Sequence, residues 1–84
     1  MNKHILLIMK WLQNPESVSL DLLKSNSNEA DVVYSRVYGE VFYAAAHAAA
    51  SYVYDDELYT SRCVDAFFKV SGEDKQSYID AISK

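Results

Sequence analysis

The 84-residue sequence holds one proline and two glycines, so it offers few places for a chain to turn. A sheet protein needs a turn signal every ~8–12 residues, and with so few breakers the architecture left open is a small number of long helices. One cysteine, Cys63, leaves no intramolecular disulfide to form and fits a reducing compartment. Positive charge is also scarce. Eight Lys and Arg residues stand singly against twelve acidic ones, for a net charge of −4, and no basic stripe exists to neutralise a phosphate backbone. Extended nucleic acid is therefore not an expected partner. Long apolar runs are missing as well. Ile5-Leu6-Leu7-Ile8-Met9 is shorter than the ~7–15 residues of a leader's apolar region and is closed by Lys10. The stretch 41–54 contains His47 and Ser51 and falls short of the ~20 residues a membrane span requires. Neither a leader nor a membrane partner is expected, and the chain reads as cytoplasmic.

What is present is the composition of a folded protein, half apolar and about a quarter charged. Its length has room for a single helical domain over residues 1–84. Ile5, Ile8, Met9 and Leu12 recur at spacings of three and four, which predicts a helix over residues 2–13. Asn14-Pro15 ends it, because the residue before proline avoids the α region. Ser17 and Ser19 offer caps for a second helix with Asp21 in its first turn. Ser25-Asn26-Ser27-Asn28 is the most polar stretch, and its side chains compete for backbone hydrogen bonds, so a break is expected there.

From 29 to 54 the pattern predicts one long, Ala-rich central helix. Ala30, Tyr34, Val37, Val41, Ala45, Ala48 and Tyr52 form one stripe, and Tyr38, Phe42, Ala46, Ala49 and Val53 form its neighbour. A helix apolar over most of its surface is a buried one, and six alanines between positions 44 and 50 let partner helices approach closely. Asp55 is placed to cap a further helix to 70 whose inner face would be Leu58, Tyr59, Cys63, Ala66, Phe67 and Val70. Ser71-Gly72 closes it, and a short helix over 73–83 turns Tyr78, Ile79 and Ile82 inward. The fold class is all-α, a compact bundle of four or five helices around the central one.

Catalytic and metal chemistry find little footing. His4, His47 and Cys63 stand at none of the spacings that hold a metal, and Cys63 has no base or orienting group in the sequence around it. No enzyme activity, metal or cofactor is expected. Seven tyrosines are the richer signal, since tyrosine offers broad contact area with one polar tip and, with arginine, is enriched at binding hot spots. Arg36, Tyr43, His47, Tyr54, Tyr59 and Arg62 are the candidate binding residues. They would serve either a protein partner or a small nucleotide held by the two arginines with a tyrosine stacked on its base. Salt bridges to Glu40 and Asp65 are the plainer use for those arginines. A core this small supplies only about 3–5 kcal/mol, and self-association would add burial, so a homo-oligomer is expected.

Four stretches carry a likeness to a known group: the opening Met1 to Leu12, Ser17-Val18-Ser19, the Ala/Tyr-rich centre, and Val64-Asp65-Ala66-Phe67-Phe68 on to Gly72-Glu73-Asp74-Lys75. Together they resemble small Ala/Tyr-rich helical accessory proteins of T4-like bacteriophages. Leu22 stands where the group carries an acidic residue three positions after the capping serine, so the second half of a capping box is missing here. The resemblance implies a setting, the cytoplasm of an infected bacterium. It also implies a role, binding and disabling a host protein such as a defence component. Sequestering a nucleotide signal and serving as a virion-associated part are the alternatives.

Overall fold

In the computed structural model, which describes residues 1–34, 40–51 and 56–83, every α-helix except the third, which Glu40 opens without a side-chain hydrogen bond, starts where a side chain satisfies exposed amides of its first turn. Asn2 accepts hydrogen bonds from the backbone N–H groups of His4 and Ile5 at 3.0 and 3.2 Å and opens α1, Lys3–Gln13. Asn14 is extended ahead of Pro15, and a short 3-10 turn, Pro15–Ser17, follows. The Ser19 hydroxyl accepts from the Leu22 N–H at 3.2 Å as α2, Leu20–Tyr34, begins. Three more helices complete the order: α3, Val41–Ala50; α4, Glu57–Ser71; and α5, Lys75–Ile82. Asp56 caps α4 and Asp74 caps α5, each through a carboxylate oxygen. Asp55, the cap expected from the sequence, lies outside the described residues. No strand occurs among the described residues, and the fold is an all-α bundle.

Three sequence expectations need correction. The break at 25–28 is absent, and α2 runs through it. Asn26 is buried, and its side-chain amide donates to the His4 carbonyl of α1 at 3.1 Å. A polar side chain committed to another helix no longer competes with its own backbone.

The single long helix over 29–54 is also not observed. α2 is described as far as Tyr34, Glu40 is extended (φ −92°, ψ 112°), and α3 spans Val41–Ala50 before Ser51 becomes extended in turn. Without a continuous helix, α3 is free to choose its own rotation. It buries Ala46, Ala49 and Ala50 completely and leaves Val41 66 % exposed, so the stripe drawn through Val41 does not face the core.

The third correction concerns α4. Its buried residues are Thr60, Val64, Phe67 and Phe68, whereas Leu58, Tyr59, Ala66 and Val70 point to solvent. The helix is apolar on two sides, and burying the two phenylalanines removes more area from water than burying Leu58 and Val70 would.

α3 packs most extensively on α4 and next on α2, with buried alanines at the contact, while α1 touches α2, α3, α4 and α5. Ile5, Ile8 and Trp11 of α1 meet Leu23, Ala30, Val64, Phe67 and Tyr78 in the core. Aromatic rings step through it, Phe42 to Phe67 at 5.6 Å, Phe67 to Phe68 at 5.3 Å and Phe68 to Tyr78 edge-on at 4.9 Å between centroids. The radius of gyration, 11.9 Å, is that of a compact globule of this length, for which about 12 Å is usual.

Candidate binding face

Of the six residues singled out in the sequence, Tyr59 and Arg62 share a face. Both lie on the outer side of α4 and are exposed. The 3.6-residue period aligns them with Leu58, Ala66 and Val70, and Leu58, Tyr59 and Val70 remain 64 %, 49 % and 42 % exposed. The Cys63 side chain one turn on raises the Tyr59 phenol above its ordinary pKa. Asp65, a proposed partner for arginine, pairs instead with Lys75 of α5 at 2.7 Å.

Tyr43 and His47, four residues apart on α3, serve the contact with α2. Tyr43 is half-buried, its ring 6.0 Å from Tyr34 and 5.4 Å from Phe42 between centroids. The His47 Nε2 lies 3.0 Å from an Asp31 carboxylate oxygen. Neither stands on the face that carries Tyr59 and Arg62. Arg36 and Tyr54 lie outside the described residues.

A second polar group went unread in the sequence. The Tyr34 hydroxyl receives a hydrogen bond from the Asn2 side-chain amide at 2.7 Å and lies 3.0 Å from His4 Nδ1. The Tyr78 hydroxyl accepts from the Asn2 backbone N–H at 2.6 Å and donates to Glu73 at 2.5 Å. Burial, helped by that bond to Glu73, pushes Tyr78 up to about 12. His4 Nε2 is enclosed without a hydrogen-bond partner, and burial holds the imidazole below its usual pKa. The available signal was positional: His4 falls on the same helix face as Ile8 and Trp11, and Asn26 on that of Leu23 and Ala30, so each is a polar residue at a core position. Apart from His4 Nε2, these groups satisfy one another and join the N-terminal end of α1 to α2 and α5, which is the pattern of a structural network.

Among the described residues no group of three His, Cys, Asp or Glu is placed to hold a metal ion. No helix there is long and apolar enough to cross a membrane. No family model matches the chain, and neither a curated protein nor a solved structure does.

Proposed function

We propose that the chain is a non-catalytic binding protein that docks on another protein through the outer face of α4. One observation carries this reading: α4 has a second apolar side, Leu58, Tyr59, Ala66 and Val70 around Arg62, which the bundle leaves in water. Side chains the size of Leu58 and Val70 release about 1.5–3 kcal/mol each when fully buried, and tyrosine and arginine are among the residue types enriched at energetic centres of interfaces. The phenol and the guanidinium supply the directional bonds, and the aliphatic residues exclude water around them. The setting implied by the sequence resemblance is a bacteriophage accessory protein that disables a host defence component by stoichiometric binding. The nucleotide alternative has less support, because Tyr43 is committed to Tyr34 and Phe42.

Titration against the protein partner tests this reading. Tyr59→Ala and Arg62→Ala should each weaken binding by about 1–3 kcal/mol with the melting temperature nearly unchanged. Full affinity in both variants would move the site off α4.

A further inference from the structure

The outer face of α4 carries charge among its apolar residues. Arg62 has Leu58, Tyr59 and Ala66 as its helix neighbours three and four positions away, and Lys69 follows seven residues on, beside Ala66 and Val70. All of these side chains are exposed. Seven residues make almost two full turns, so the two cations stand on nearly one line, about 10.5 Å apart. Asp65 is the carboxylate nearest that line, and Lys75 of α5 already holds it at 2.7 Å. Among the described residues neither Arg62 nor Lys69 forms an ion pair. A chain with a net charge of −4 therefore keeps two uncompensated cations on the face it leaves apolar.

We propose, on the reading that this face docks on another protein, that the partner meets it with an acidic amphipathic helix. Covering Leu58, Tyr59 and Ala66 takes water from the guanidinium between them, and an ion that loses its water without gaining a counter-charge weakens a complex strongly. Carboxylates opposite Arg62 and Lys69 supply that charge, and the guanidinium can grip one with two parallel hydrogen bonds. A helix provides the pair most simply. Acids at positions i and i+7 share one side and lie the same distance apart as the two cations, with apolar residues between them. The remaining occupants match the charge less well. A second copy would set Arg62, Lys69 and Lys75 against the same net positive patch. Helices that lie on membranes hold their cations on the polar side, away from the buried face, whereas Arg62 stands within the apolar one. Two cations in an acidic chain are too few to hold a nucleic acid.

Titration of the full chain with three synthetic helical peptides as long as α4 tests the pairing. The peptides share one leucine stripe and differ only at two positions seven apart, which hold Glu, Gln or Lys. The wild type should bind the Glu peptide about tenfold or more tightly than the Gln peptide, and the Lys peptide most weakly, because facing like charges repel. The double variant Arg62→Glu with Lys69→Glu should reverse that order. Leu58→Ser leaves the charges in place and should weaken the Glu and Gln peptides by the same factor. All three positions are exposed, so circular dichroism should show the proteins equally helical. Glu and Gln peptides bound alike by the wild type, both weakened by Leu58→Ser, would overturn the acidic partner and leave docking through α4 standing. A Glu preference untouched by either variant would overturn both. Failure to bind any of the peptides would also overturn the acidic partner, and co-sedimentation with phosphatidylglycerol vesicles in their place would assign the face to a membrane surface.

Discussion

His4 occupies a helix position that Ile5, Ile8 and Trp11 make apolar, and its imidazole is held neutral there by burial. The linkage has a definite sign. An unfolded histidine takes up a proton near pH ~6.5 while the folded one resists, so the unfolded state binds more protons and stability falls as the solution is acidified below that point. Thermal melts from pH 7 to about 5 should therefore show a loss in the wild type that His4→Gln reduces; parallel profiles for the two proteins would remove His4 as the cause. Tyr78, unlike His4, has its polar tip fully employed, accepting from Asn2 and donating to Glu73. Tyr78→Phe keeps the ring against Phe68 and deletes only the hydroxyl. It should cost about 1–2 kcal/mol, read as a melting point lower by roughly 4–8 °C per kcal/mol.

The helices differ in how plainly the sequence announces them. α1 was legible to within a residue, because its apolar residues recur at helical spacing and Asn14-Pro15 must end it, both local effects. Gly72 was legible for the same reason: it closes α4 at φ 72°. No atom lies within 4 Å of a Cβ added there, so Gly72→Ala should cost only the left-handed backbone penalty, about 1 kcal/mol by denaturant melt. Rotation about the helix axis was not legible in α3 or α4. A helix apolar around most of its circumference gives no unique inward face, and tertiary packing decides. Asn26 was misread because its hydrogen-bond partner is twenty-two residues away on α1. The observed rotation of α3 makes a sharp comparison. Val41→Asp should leave stability within about 0.5 kcal/mol, whereas Ala46→Asp, at a fully buried position, should cost several kcal/mol or prevent folding. Equal effects in urea melts would mean that α3 is turned otherwise.

At the scale of the molecule, the same ambiguity that hid the inner face of α4 produces its outer one. Residue type alone flagged Tyr59 and Arg62. What the sequence concealed was that Leu58 and Val70 join them in water rather than in the core, because Phe67 and Phe68 claim the interior side. The bundle then presents an apolar face on which Arg62 and Lys69 stand as cations, in a chain whose net charge is −4. The most direct test of that face is quantitative capture of the proposed partner protein from a lysate of the proposed bacterial host by three immobilised proteins with matched circular dichroism: wild type, Leu58→Asp and Val41→Asp. Leu58→Asp places a charge on the proposed face, and Val41→Asp places one on an exposed site outside it. The account predicts that wild type and Val41→Asp retain the same partner in stoichiometric amount and that Leu58→Asp loses it. Retention of that partner by all three, or its loss with Val41→Asp alone, would contradict the assignment of binding to α4.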